Sequence, residues 1–354
     1  MRDVRAVKLA VCPESIFERV GLWLGLVPEP LFETHISAML ARSIMAGVEL
    51  GVFESLESTP LTTAAVAKRC DTDVQATTLL LNALVGCGYL AMSCERYSLT
   101  PKSRKWLLRS SRNSVRDKIL LQAIEWRWIA HLEEFVRSGR PLDFHATMSD
   151  SERDLYHRSM RAIAGIAGRE VAWRTPIPHH ATRMLDLGGS HGHFAASICR
   201  RHPGLSAQVL DLPGAVEKAA PMLAAEGLGS RVVHLAADVN HADLGSEQFD
   251  LVFMSNLAHH LGKDQNRSLA KRVARALRPG GIFVIQEAVR PRSPEKAGQT
   301  GTLLGLYFAL QSTSNVTTWT ALDMRSWQAE AGLTPRKSMR LRSAPGWVQQ
   351  SARL

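Results

Sequence analysis

The sequence predicts an α/β protein: a doubly wound parallel sheet in the C-terminal half, preceded by a mainly helical region in winged-helix order. Three observations carry this. Up to about Arg174–His180 nearly everything reads as helix, and beyond it short β-branched runs alternate with helical stretches. Within the second half a strand ending at Asp186 runs directly into a glycine loop and then a helix. The chain has 354 residues, 45% hydrophobic and 21% charged, which at roughly 150 residues per domain fits two globular domains and excludes fibrous or disordered classes.

The N-terminal elements follow in order. His35–Leu50 is apolar at helical spacing and stops at Gly51, a residue suited to a left-handed cap. Thr62 or Thr63 can cap a short helix through Lys68. Asp73 can cap the next, which carries Leu79, Leu80, Leu81, Leu84 and Val85 and stops near Gly86 and Gly88. Tyr89–Leu99 then reads as two short strands about a polar turn. Three helices and a hairpin make a winged-helix module, which either binds DNA or pairs proteins. Residues 114–170 read as long helices, broken at Gly139–Pro141 and at Ser149–Ser151.

In the second half the expected strands are Arg183–Leu187, Ala207–Leu212, Val232–Ala236, Leu251–Ser255 and Ile282–Gln286. The expected helices are Gly192–Arg201, Ala215–Ala225 and Gln265–Leu277. Sheets wound this way bind ligands outside the carboxyl ends of their strands.

Charge and cysteine content narrow the function classes. The net charge is +10, and the densest basic stretch, Arg96–Lys118, holds eight basic residues against Asp117. Such a stretch can meet nucleic acid, but it is more often a solvated face; no nucleic-acid partner is expected. No apolar run approaches the roughly 18 residues of a membrane span, and Met1–Pro13 is a poor signal peptide because Asp3, Arg5 and Lys8 interrupt it. Five cysteines without a CxxC pair argue against a disulfide framework or a zinc site, and for the cytoplasm. His191 and His193 flank Gly192, but no HExxH or carboxylate-rich partner accompanies them, so no metal is expected. His179 and His180 read as solvated linker residues.

The strongest chemical signal is Met184-Leu-Asp-Leu-Gly-Gly-Ser-His-Gly-His-Phe194. Glycines let the backbone turn sharply and approach a ligand, and the following helix start offers free N–H groups. Gly188, Gly189 and Gly192 do not match the offsets of the dinucleotide fingerprint. Asp211 ends the next strand, 19 residues after Gly192, where a carboxylate can accept both hydroxyls of a ribose.

Five segments in register make the chain, from about residue 30 to 340, resemble the dimeric small-molecule O-methyltransferases of secondary metabolism, which use S-adenosylmethionine. These are the glycine loop Asp186–Gly192, the acidic turn Asp211-Leu-Pro213, Arg231–Val239, Leu257–His260 and Leu277–Gly281. The resemblance implies a Rossmann-like class I methyltransferase domain at residues 176–354, pocket-walling helices at 114–175 and a homodimer formed through 1–113. It implies cofactor contacts at Gly188, Asp211, Leu212, Asp238, Val239 and Ser255, with Asp238 on the adenine amino group and Val239 on the ring. Asp186 would hold the loop through backbone N–H groups, and Ser190, where the family has glycine, would crowd the cofactor or bond to it.

The same resemblance puts His259 in the place of a catalytic base oriented by Glu287, with His260 structural. An imidazole titrates near neutrality and can relieve a hydroxyl of its proton as it attacks an activated methyl group. A third acid of the family maps to Thr318, a departure that leaves open N-, C- or S-methylation, or use of the cofactor without methyl transfer. Tyr156 and Met160 match a segment that lines the acceptor site, with Trp126 and Phe308 as further candidates. The expected acceptor is a hydroxylated, aromatic or polyketide-like small molecule. A winged-helix DNA-binding regulator is the alternative of another class.

Overall fold

The computed structural model describes residues 9–290, 294–311 and 319–354, with the side chains of 294–298 left aside. Thr318 therefore lies outside the described residues. The chain divides into two compact units between Ile124 and Glu125.

The first unit opens with α1 (Ile16–Trp23), which has no buried residue, and continues to α2 (Ser37–Glu49). Gly51 takes φ +75° just beyond α2, as a left-handed stop requires. Thr62 caps α3 (Thr63–Cys70) by accepting the Ala65 N–H, and Asp73 caps α4 (Val74–Gly86) by accepting that of Ala76 at 2.7 Å. On α4, Thr77, Leu81 and Leu84 turn inward, whereas Leu79 faces out. Strands β1 (Leu90–Ser93) and β2 (Arg96–Leu99) form the hairpin, antiparallel, about Cys94 and Glu95. Val48, Phe53, Leu56, Leu81, Leu84, Tyr97 and Leu99 make the core of this unit. The helix α5 (Arg116–Ile129) runs to the unit boundary and past it.

The second unit begins with Glu125 and continues to α6 (Asp150–Arg174), whose start is a capping box between Ser149 and Glu152. A parallel set follows: β3 (Arg183–Leu187), α7 (His193–Arg201), β4 (Ser206–Asp211), α8 (Pro213–Ala225), β5 (Val232–Ala236), β6 (Phe249–Ser255), α9 (Lys263–Ala276) and β7 (Leu277–Ala288). Then come α10 (Pro294–Leu310), α11 (Ala321–Glu330), β8 (Thr334–Pro335), β9 (Met339–Arg340) and β10 (Trp347–Arg353). Among the described residues eight strands form one sheet, ordered β5-β4-β3-β6-β7-β10-β8, with β9 also on β10. The expected parallel sheet is corrected here to a mixed one, because β10 returns antiparallel along β7 over its whole length.

Alternation along the strands builds two apolar layers. Leu185, Leu187, Val252, Met254, Phe283 and Ile285 pack on one face with α9 and α11. Met184, Leu251, Phe253, Ile282 and Val284 pack on the other with α6 and α7. Burial on both faces makes these strands continuous apolar runs. No helix among the described residues is long and apolar enough to cross a membrane.

Candidate functional site

The carboxyl ends of β3, β4, β5 and β6 bring Gly188, Asp211, Asp238 and Ser255 to one edge of the sheet. The glycine loop leaves β3 with Gly188 at φ +66° and enters α7 through Gly192 at φ +67°, conformations that an L side chain rarely takes. A Cβ on Gly192 would stand 2.6 Å from Leu223 Cδ1, and one on Gly189 would stand 2.6 Å from the Asp186 carboxylate. The cradle loop therefore packs its backbone directly against these side chains, which only glycine allows.

Asp211 holds this cradle. Its Oδ2 accepts the Ser190 N–H and its Oδ1 the Leu212 N–H, each at 2.8 Å. Burial pushes the Asp211 carboxyl up, while those two N–H groups pull it back. A carboxylate has about four lone-pair sites, so each oxygen keeps capacity for one further donor. Leu212, beside it, is exposed.

One expectation for this loop needs correction. Asp186 does not hold it through N–H bonds: neither of its carboxyl oxygens has a hydrogen bond of ordinary geometry, and the Ala195 N–H lends only electrostatic support. Burial, then the charge of Asp211, pushes its pKa up to about 8. Ser190 bonds to the protein at three atoms. At φ +42° its N–H goes to Asp211, its carbonyl accepts from His234 Nε2 at 2.7 Å, and its Oγ shares a hydrogen bond with His157 Nδ1 at 3.0 Å.

Asp238 closes a turn beyond β5, with Oδ1 accepting the Asn240 N–H at 2.9 Å. Val239 is buried in the apolar layer that includes Leu244 and Phe249. Ser255 Oγ accepts from Gln286 Nε2 at 3.0 Å.

His259 lies in the single turn Ala258–His260 after β6. Buried Asn266 pins this turn, its Nδ2 donating to the carbonyls of Ala258 and Leu261 at 3.0 Å each, and Trp319 Nε1 donates to Ala258 at 2.8 Å. His259 Nδ1 meets Oε1 of the fully buried Glu287 at 2.9 Å. The Ala288 N–H also donates to Oε1, at 3.1 Å, fixing the carboxylate. A carboxylate can only accept, so Nδ1 is the nitrogen that donates to Glu287 and Nε2 is the one left to face a partner.

Rings surround this histidine. His260 stacks at 4.2 Å between centroids, and Phe308 stands at 5.2 Å. His145 links His260, at 5.9 Å, to Tyr156, at 5.5 Å. Burial, then His259 and His145, keeps the His260 pKa well below the usual histidine value. Burial also lowers His145 and, aided by the charges of Glu125 and Asp211, raises the Tyr156 phenol. Met160 follows Tyr156 by one turn of α6 and is half-buried. Trp126 stays at the surface, 41% exposed. Its neighbour Glu125 turns inward instead and accepts the Tyr307 hydroxyl at 2.6 Å. The sequence reading missed Glu125, although a carboxylate one turn from buried Leu121 on an apolar helical stripe is a legible signal.

The other histidines have structural partners. His193 Nδ1 meets Glu226 Oε1 at 2.8 Å, and Arg161 and Arg200 bind the same carboxylate. Burial works to raise Glu226, but His193, Arg200 and Arg161 outweigh it and hold the group at about 2. Burial drives His191 down to about 3. His179 and His180 are exposed. Among the described residues no cluster of three or more ligating side chains could hold a metal ion.

Residues 130–333 match the O-methyltransferase domain family, and residues 33–109 the O-methyltransferase dimerisation domain. Acetylserotonin O-methyltransferase of Rattus norvegicus is 27% identical over 323 residues, covering 87% of this chain and 73% of that protein. The 3-hydroxy-5-methyl-1-naphthoate 3-O-methyltransferase of Streptomyces sahachiroi is 25% identical over 322 residues, covering 86% and 89%. Among solved structures, human N-acetylserotonin methyltransferase in complex with S-adenosylmethionine superposes with a TM-score of 0.79 at 21% identity, covering 97% of this chain and 99% of that one. A mitomycin 7-O-methyltransferase gives 0.75 at 21% identity, covering 96% and 100%. These likenesses share the fold, a Rossmann-like class I methyltransferase sheet behind a helical N-terminal region.

Proposed function

Because the chain belongs to the O-methyltransferase family and is an S-adenosylmethionine-dependent O-methyltransferase of small molecules, we propose that His259 is its general base and that its acceptor is a hydroxylated aromatic or polyketide-like molecule. The observation that carries the first part is the buried 2.9 Å contact between His259 Nδ1 and Glu287. The second part is supported by the rings of Tyr156, His145, His260 and Phe308 around that histidine and by the naphthoate-modifying relative.

The residues present fit the methyl donor. Asp211, at the carboxyl end of β4 beside the glycine loop, has two lone pairs in hand for a pair of ribose hydroxyls. We assign Leu212, Asp238, Val239 and Ser255 to the same site. When bound, S-adenosylmethionine supplies a sulfonium methyl group open to in-line attack. The chain's own task is to place the acceptor and take its proton. Nε2 of His259 receives the hydroxyl proton, and Glu287, fixed by Ala288 N–H, opposes the positive charge that then rests on the ring. Tyr156, Met160 and Phe308 face the acceptor, with Trp126 at the rim. The dimerisation domain pairs two copies. Five unpaired cysteines suit a reducing cytoplasm.

The test is His259→Ala. Turnover at neutral pH should fall by roughly 10²–10⁴-fold, the usual contribution of general base catalysis. The rise in melting temperature caused by S-adenosylhomocysteine should persist, since the cradle is untouched. Activity should return as pH approaches the acceptor's own pKa. Near-normal turnover at neutral pH would remove the base role.

A further inference from the structure

The wall of rings beside His259 contains one polar island. On α10 Tyr307 and Phe308 are followed, just past the helix end, by Gln311, which at about 100° per residue falls between them in projection, one turn further on. Phe308 reaches the His259 ring. Tyr307, set at 70° to Phe308, points its hydroxyl to Glu125 Oε1 at 2.6 Å. Glu125 is buried, and packing alone does not call for a carboxylate there.

Gln311 is 7% exposed, and among the described residues its Nε2 has no hydrogen-bond partner of ordinary geometry. Its amide lies beside the Tyr307 hydroxyl and steadies it electrostatically without reaching hydrogen-bond geometry. Buried amide donors are otherwise nearly always satisfied, because an unmet donor gives up its bonds to water for nothing. An oxygen atom of a bound molecule would complete the site. Glu125 selects which oxygen: a carboxylate would be repelled by it, whereas a neutral carbonyl would not.

We propose that Gln311 is a specificity residue whose Nε2–H donates to a neutral carbonyl oxygen of the acceptor, remote from the hydroxyl that is methylated. Tyr307 and Glu125 are positioning residues that hold the amide in place. The proposal rests on the reading that a phenolic acceptor gives its proton to His259.

A matched set of probes tests it: 6- and 7-hydroxy-1-tetralone against 5,6,7,8-tetrahydro-2-naphthol, which lacks the carbonyl. The wild-type protein should favour at least one ketone by roughly 10–100-fold in kcat/KM, the weight of one buried hydrogen bond. Gln311→Met and Gln311→Glu should each erase that preference through the ketone's KM, leaving turnover of the tetrahydronaphthol within about twofold. Tyr307→Phe and Glu125→Gln should lower the preference partway. A retained melting-temperature rise with S-adenosylhomocysteine certifies that each variant is folded, and ketone binding to that complex is read by a further rise. The inference is overturned if the wild type treats the probes alike, whether it takes all or none, or if the Gln311 variants keep the preference. Failure of the base reading shows separately, as normal tetrahydronaphthol turnover in His259→Ala.

Discussion

Two buried carboxylates, Asp186 on β3 and Glu287 on β7, do opposite work. Glu287 has a partner on each side, while Asp186 sits among Gly189 and Val209 with its oxygens unbonded. The folded-state pKa of Asp186, about 8, lies above its ordinary value near 3.9. The folded protein therefore holds this proton more tightly than the unfolded chain does. The resulting stability is complete below pH 4 and is lost as pH rises through about 8. Asp186→Asn keeps the volume and removes the charge. Its melting temperature should gain on that of the wild type steadily between pH 5 and pH 9, by several degrees or about 4 kcal/mol at roughly 1.4 kcal/mol per pH unit up to about 8. A difference that does not change with pH would mean that the folded protein does not shift this titration, and would overturn the prediction.

Elements show where pattern reading succeeds and where it stops. Arg183–Leu187 and Val232–Ala236 were legible to the residue, because apolar runs stand between polar neighbours. The pairing of His259 with Glu287 was legible through resemblance, and the geometry agrees. Strand β10 was not legible. It reads Trp-Val-Gln-Gln-Ser-Ala-Arg, yet Gln349, Gln350 and Ser351 are buried. Part of that polarity is absorbed by bonds that no local pattern announces: Gln349 Nε2 to Gln286 and Thr175, and Gln350 to Ser338 and Arg336. Glu125 could be noticed from its helix alone, but its partner Tyr307, and with it Gln311, could not, since that pairing joins residues 182 apart in sequence. The hairpin carries an elementary prediction of its own. Cys94 and Glu95 sit at φ +47° and +57°, the two positive angles of the turn that favours Asn-Gly. Replacing them together, Cys94→Asn with Glu95→Gly, should raise stability by about 1 kcal/mol, read as a higher urea midpoint at unchanged slope. A lower midpoint would show that the native pair has tertiary work there.

At the scale of the whole molecule, α1 presents Phe17 and Trp23 at 84% and 83% exposure, with Ile16, Val20 and Leu24 beside them. A monomer seldom leaves so contiguous an apolar surface to water, and the dimerisation domain begins shortly after it. We expect a second copy to cover this face. Light scattering should give twice 39.0 kDa for the wild type and 39.0 kDa for Phe17→Glu with Trp23→Glu. The catalytic unit of that double variant should still respond to S-adenosylhomocysteine. A wild type that scatters as 39.0 kDa at micromolar concentration would leave the apolar face to another partner.

The triple anchoring of Ser190 reaches beyond the site itself. Its amide, carbonyl and hydroxyl are tied to β4, β5 and α6 before any ligand arrives. A loop already immobilised has little configurational freedom left to surrender. Capture of the nucleoside should accordingly be rapid, set by diffusion and not by a slow ordering step. In deuterium the Ser190 amide should exchange slowly in the ligand-free protein, and saturation with ligand should slow it little further.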